Sequence, residues 1–420
     1  MRGRDEAAPA PRHGNAVRRY AMHGYLYWRN ARRYSSPAVA RPLANPFRFG
    51  ALARDESFTD RDDEIAELLS DARNGQDVVI FAPRRFGKTS LVDRVAQRLV
   101  GDRVLVGQIN LMRTPTKERL AEKLAATVYE DIAGPLTRAK DFGARIFRGL
   151  RITPTMTLDP ETGALSFGFG AGHLPEDVDA TLERLFELVA QVAAERERGA
   201  LLILDEFQEV IELDPQLPKL LRSVLQEQPE VGHFYLGSKR HMMERIFNDE
   251  NEPFWRSAKQ LELGPIPPGP FGDFIERRFA DTGRRIDPTV VAQILTITGG
   301  HPYATQELCY FLWEETPTRR AATAERIDAA VERVLRSEHT HFSLLWDRAS
   351  ANQKLVLQAL AREPGHPFAE DYRRRHALRA VSSTQKAVEA LARDELVGRD
   401  RGRAWIAEPF LAEWIRANVQ

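Results

Sequence analysis

Asp77–Arg94 reads DVVIFAPRRFGKTSLVDR. Val78–Phe81 is an uninterrupted apolar run of strand length, and from Thr89 onward Leu91, Val92 and Val95 fall on one face of a helix. Between them, Ala82-Pro83-Arg84-Arg85-Phe86-Gly87-Lys88-Thr89 keeps the spacing G-x-x-x-x-G-K-[ST], with alanine at the first position. A loop of this spacing between a strand and a helix turns successive backbone N–H groups toward an anion, at the positive end of the helix. Gly87 lets the backbone approach a phosphate closely. Lys88 is placed to reach the terminal phosphates and the Thr89 hydroxyl to ligate magnesium. Ala82 through Ser90 are therefore candidate phosphate-binding residues. Alanine at the head of the loop adds one methyl group, the least obstructive change from glycine.

Two further strand ends supply what such a loop lacks. Leu201-Leu202-Ile203-Leu204-Asp205-Glu206 is an apolar strand finishing in two carboxylates. At the carboxyl tip of a strand both reach the same site. Asp205 is the candidate metal ligand, with Thr89, and Glu206 the candidate base for an attacking water. Phe234-Tyr235-Leu236-Gly237-Ser238-Lys239-Arg240 is another strand ending in small and polar residues. Ser238 is a candidate for contacting water or phosphate there, and Arg240 for supplying positive charge to a transferring phosphoryl group. A polar turn with no catalytic role explains these residues equally well. The Asn-Lys-x-Asp signature of guanine recognition does not occur, which favours adenine.

Working outward, apolar runs alternate with helical patterns from Asn45, the rhythm of an α/β domain with a mostly parallel sheet. Strands are expected at Asp77–Ala82, Val104–Asn110, Leu201–Asp205, His233–Gly237 and Gln260–Leu263, and helices at Thr89–Leu99, Thr116–Ile132, Val178–Arg198 and Pro218–Gln228. An alternating stretch from Ile152 to Phe169, split by Asp159-Pro160-Glu161-Thr162-Gly163, reads as an inserted hairpin. After the proline cluster at 265–270 the pattern predicts helices only: Phe271–Thr282, Pro288–Thr298, Pro302–Glu315 and Ala324–Ser337. The last seventy residues predict three short helices, then Leu396–Ile406 around a Gly-Arg-Asp-Arg-Gly-Arg turn, and a final helix.

The first 45 residues are rich in Arg, Ala and Pro without a hydrophobic period, and read as a basic arm. Net charge is zero, yet residues 1–50 carry ten Lys/Arg against two Asp/Glu. No apolar run approaches the ~18 residues that span a bilayer. The single cysteine, Cys309, excludes an internal disulfide framework and suits a reducing cytoplasm. Histidine and cysteine spacing offers no zinc site.

The three strand-end segments, in this order, resemble the bacterial and archaeal ATP-binding proteins of the AAA+/STAND type, often called archaeal-type ATPases. Phe58-Thr59-Asp60-Arg61 followed by Asp63-Glu64-Ile65 is similar to that family's F-x-G-R-x-x-E-L entry motif, with Asp60 in place of glycine. Gly300-His301-Pro302-Tyr303 resembles its G-x-P lid motif, and Pro253-Phe254 its PF pair. The resemblance implies a P-loop NTPase fold with an ASCE-type parallel sheet, a helical lid and a C-terminal winged helix. It places the core at 46–267, the lid at 268–345 and the winged helix at 346–420. It implies ATP and Mg²⁺ as cofactors, with Arg61 and Pro302 beside the adenine.

The function expected from all this is an ATPase acting as a nucleotide-dependent switch that moves the winged helix. The alternatives are a non-hydrolysing ATP-binding module and a nucleotide-regulated DNA-binding transcription regulator. In the second case Gln385 and Lys386 would face bases or backbone, and Arg399, Arg401 and Arg403 phosphates. The excess charge over 351–420 is only three, weak for a nucleic-acid footprint, so a protein partner is an equal candidate. So is self-association, because no arginine finger is assignable; Arg245 and Arg256 are candidates by position alone.

Overall fold

Every residue of strand β1 (Val78–Phe81) is buried, as a strand covered by helices on both faces must be. It is joined by β2 (Leu105–Asn110), then, after a small antiparallel hairpin of β3 (Thr155–Leu158) and β4 (Leu165–Gly168), by β5 (Ala200–Asp205), β6 (Val231–Gly237) and β7 (Lys259–Glu262). The order in the main sheet is β2-β5-β6-β1-β7, all parallel. The first strand thus lies between the fourth and fifth of the sheet, the ASCE arrangement. The structure, a computed structural model, describes residues 45–50, 58–133, 150, 155–158, 165–168 and 174–419. These residues belong to one unit, Asn45–Gln420. The expected basic arm, Asn45 apart, and the expected hairpin turn at 159–163 lie outside the described residues.

The two sheet faces build two separate cores. Val79, Phe81, Leu202, Leu204 and Tyr235 point to one, and Val78, Ile80, Leu201, Ile203 and Phe234 to the other. That is the period-two alternation of a strand, hidden in the sequence because both faces are apolar. Helices α1 (Asp62–Arg73) and α2 (Lys88–Gly101) cover the second face. Helices α3 (Lys117–Thr127), α4 (Pro175–Glu195), α5 (Glu209–Leu213), α6 (Leu217–Leu225) and α7 (Arg240–Asn248) bury residues in the first. Under the tip of β6, Phe207, Tyr235, Phe247 and Phe254 pack ring against ring, with centroids 4.7 to 5.8 Å apart. Phe254 of the expected PF pair is therefore a core residue that fixes the strand end.

Beyond β7 come α8 (Pro268–Asp281), α9 (Pro288–Thr298), α10 (Pro302–Glu315) and α11 (Ala324–Arg348). Two expectations are corrected here. The segment is not helical throughout, because β8 (Arg285–Ile286) pairs in parallel with β9 (Ala321–Ala322) and ties the loops together. The fourth helix does not stop at Ser337 but runs 25 residues to Arg348, since Phe342 continues the buried stripe of Ile327, Ala330 and Val334. The expected boundary at 345/346 thus falls inside a helix.

The chain then turns at Ser350. Its hydroxyl accepts from the Gln353 amide, and the Gln353 side chain accepts from the Ser350 amide, a capping box that starts α12 (Ala351–Arg362). Helices α13 (Glu370–Arg375) and α14 (Val381–Arg393), strands β10 (Val397–Asp400) and β11 (Arg403–Ile406), and α15 (Pro409–Asn418) complete a winged helix. Arg401 (φ 45°) and Gly402 (φ 81°) form the two-residue turn of the wing. Opposite Trp405, Gly398 carries no side chain because a Cβ there would lie 2.5 Å from the indole. A single apolar core joins lid and winged helix, from Phe271 and Ile294 through Val334 and Phe342 to Val388, Phe410 and Trp414. Among the described residues no helix is long and apolar enough to cross a membrane.

Candidate nucleotide site

The carboxyl ends of β1, β5 and β6 meet where the strand order reverses, the place where open parallel sheets bind ligands. Leaving β1, the loop passes through a left-handed Arg85 (φ 66°) and a left-handed Gly87 (φ 86°), which is the N-cap of α2. Ala82 is not in the left-handed region, so its methyl group costs the loop nothing. Asp60 is different: it and Arg61 both have positive φ, 61° and 71°. A side chain at position 60 thus carries strain of about 1–2 kcal/mol that glycine would avoid.

Lys88 is buried, and its ammonium donates to the carbonyls of Ala82 (2.6 Å) and Pro83 (3.2 Å). Burial lowers its pKa, against the pull of Glu206, Glu395 and Asp205, and Arg84 lowers it further. Thr89 and Ser90 follow in the first turn of α2. Asp205 at the end of β5 accepts the amide of Glu206 (3.0 Å) and the side-chain amide of Asn110 (3.1 Å). Burial, then Glu206, pushes its pKa up to about 6, while Asn110, the Glu206 amide and Lys88 oppose the rise. Glu206 leaves the strand in a left-handed conformation (φ 57°), and its Oε2 accepts from Ser238 Oγ (2.9 Å) and Gln208 Nε2 (2.6 Å).

Ser238 thus joins the carboxylate pair, whereas the Arg240 guanidinium is engaged by other acids. It is held by Glu244 (2.8 Å) and by Glu262 at the end of β7. Arg245 is likewise engaged, with Glu252 at 2.9 Å. Arg61 is buried, pairs with Glu64 (2.8 Å) and donates to the Gly264 carbonyl. Pro302 opens α10 behind His301, whose Nδ1 caps the helix by accepting the Ala304 amide (3.2 Å). Burial, aided by Arg85, lowers the His301 pKa to about 4, so the ring stays neutral as a cap acceptor must. Gly300 (φ 72°) passes so close to Ile266 that a Cβ would lie 2.5 Å from its carbonyl oxygen. The loop touches the lid through Phe86 on His301 (4.6 Å) and Arg85 over Tyr303 (4.1 Å).

Behind Tyr303 lies a group of acids. Burial, with Glu338 and Glu408 nearby, pushes Glu307 from an ordinary 4.5 up to about 8, and only Arg85 opposes the shift. A carboxyl raised in the folded state stabilises the fold below pH 4.5, and that stability is lost as pH climbs through 8. Glu307→Gln, which cannot ionise, is therefore expected to melt above wild type at pH 8–9, by roughly 1–3 kcal/mol or a few degrees. The gap is expected to close toward pH 5, and equal melting temperatures at both pH values would contradict this reading.

Asn110 and Gln208 were not anticipated from sequence. Asn110 had a signal, for it ends an apolar strand with a polar residue as Asp205 does, and the two are register partners. Asp205 and Thr89 offer hard oxygen donors that fit magnesium, an ion that keeps water and phosphate for its remaining positions. Among the described residues no cluster of three His, Cys, Asp or Glu could hold a metal by itself.

The sheet order and this site define a P-loop NTPase of the ASCE type. The family described as "ATPase domain predominantly from Archaea" matches residues 58–308, and the chain belongs to it. A probable winged helix domain matches residues 340–417. Among solved structures, the Walker-type ATPase paby2304 of Pyrococcus abyssi is similar at 15% identity and TM-score 0.60, over 90% of this chain and 99% of that one. The Aeropyrum pernix Orc1 protein, solved in complex with DNA, aligns at 16% identity and TM-score 0.44, over 87% and 94% of the two chains. Cdc6p from Pyrobaculum aerophilum aligns at 14% and 0.43, over 88% and 100%. No curated protein matches the chain.

Proposed function

We propose that this protein binds Mg-ATP between the sheet and the lid, hydrolyses it, and uses the cycle to move its winged helix. The observation that carries the reading is the Glu206 carboxylate, oriented by Ser238 and Gln208 beside the buried Lys88 ammonium. Glu206 is in position to take a proton from a water held near Ser238. Lys88 would exchange its two loop carbonyls for phosphate oxygens, and the amides from Arg84 to Ser90 would cradle the rest of the phosphate chain. Thr89 and Asp205 would hold magnesium, which supplies charge neutralisation at the phosphates. The adenine would lie near Arg61 and Pro302. Lid and winged helix share one core, so a lid displaced by nucleotide would carry the winged helix with it.

A second reading is a module that binds ATP without turning it over. The engagement of Arg240 and Arg245 by carboxylates of this chain favours it. The exposed Gln385, Lys386, Arg399, Arg401 and Arg403 make duplex DNA a candidate partner, beside a protein or a second copy of the chain. Phosphate release per protein, measured across protein concentrations with and without duplex DNA, separates these. A steep rise with concentration is expected if a second subunit supplies the missing arginine. DNA stimulation that weakens with salt would mark a DNA-acting machine. Tight ATP binding with no release under any condition would leave the binding module.

A further inference from the structure

Two acids of the winged helix reach into the phosphate loop. Glu395, just beyond α14, has its Oε2 3.5 Å from Arg84 Nε. Glu408, the N-cap residue of α15, has its Oε2 3.9 Å from an Arg85 guanidinium nitrogen. Glu395 is the one that also faces the loop lysine. Four groups beside its carboxylate come from three strand ends: Arg84 and Lys88 after β1, Glu206 after β5, and the backbone amide of Arg240 after β6. Of these, Lys88 and Glu206 are the groups assigned above to the terminal phosphates and to the base. The other oxygen, Oε1, is buried with no hydrogen-bond partner.

The backbone at this residue is also unusual. Glu395 takes φ 60° where the helix ends, its amide bonded to Ala392 and that of Leu396 to Leu391. Glycine is the residue favoured at such a helix end, and a larger one is strained there. A glutamate at this position trades backbone strain for the reach of a carboxylate. The charges point the same way. Arg84, Arg85 and Lys88 are the cations of the loop, and Glu395 and Glu408 set carboxylates against them.

We propose that Glu395 is a tethered anion that stands in for a nucleotide phosphate, so that the winged helix and the β- and γ-phosphates of ATP compete for one cationic pocket. The proposal rests on the nucleotide site described above. ATP enters by displacing the carboxylate, and the turn leading into the wing is released at the same step. Without nucleotide, Glu395 closes the pocket.

The test compares nucleotide affinities of wild type, Glu395→Gln and Glu395→Gly by titration with ATP, ADP and AMP. The two variants remove the charge in different ways, and the glycine also relieves the backbone. Both are expected to bind ATP about tenfold more tightly, ADP more tightly by a smaller factor, and AMP unchanged. Hydrogen exchange over residues 394–408 is expected to rise when ATP is added to wild type and to be high already in the variants. Unchanged ATP affinity in both variants, or a gain of equal size for AMP, would overturn the proposal. Lys88→Ala, run alongside, tells the two failures apart: if it abolishes ATP binding while Glu395 variants behave as wild type, the site stands and the latch falls. If Lys88→Ala also binds normally, the site itself is misplaced.

Discussion

Lys88→Ala is expected to lower ATP affinity by about 100-fold or more, measured by equilibrium titration with a fluorescent ATP analogue. Each charge-assisted hydrogen bond lost to phosphate oxygen costs roughly 1.5–3 kcal/mol, and the ammonium has two loop carbonyls to exchange for such bonds. The unliganded variant is expected to melt close to wild type, because burial already penalises the ammonium when no phosphate is present. Loss of binding without loss of fold would mark a ligand-directed lysine. Equal affinity in variant and wild type would remove the loop from nucleotide recognition altogether.

Glu206→Gln is expected to bind ATP with near-normal affinity and to slow steady-state phosphate release by about 100-fold or more, the usual worth of a positioned general base. The substitution preserves shape, and an amide oxygen still accepts from Ser238 and Gln208, so the geometry of the strand end survives. What disappears is the capacity to receive a proton. Undiminished turnover in the variant would take Glu206 out of the chemistry and return weight to the binding-module reading.

The five strands and the phosphate loop were legible because their signals are local. Val78–Phe81 is apolar on both faces, and the G-K-T spacing at 87–89 sits where a strand becomes a helix. Asp205 and Glu206 were legible for the same reason, as carboxylates at the tip of an apolar run. For Arg240, position along the chain said nothing of Glu262, which engages its guanidinium from the end of β7. The helix Asp62–Arg73 went unread since its charged first turn masks the stripe of Ile65, Leu68, Leu69 and Ala72. Glu395 and Glu408 gave no sign at all. Their partners, Arg84 and Arg85, lie some three hundred residues away, and only the folded chain brings them together.

Helix α11 has no break between lid and winged helix. Its 25 residues make a rod of about 37 Å, at 1.5 Å per residue. Both ends are set in the same apolar core, so the rod behaves as a crank rather than as a linker. The pivot is then the short run between Leu263, which packs with the sheet, and Ile266, which packs with the lid. A rod of that length turned by about 10° about one end sweeps its other end through roughly 6 Å. Under the proposed switch, small adjustments around the nucleotide would be geared up into a displacement of the wing comparable to a full helical turn, without either body changing its internal packing.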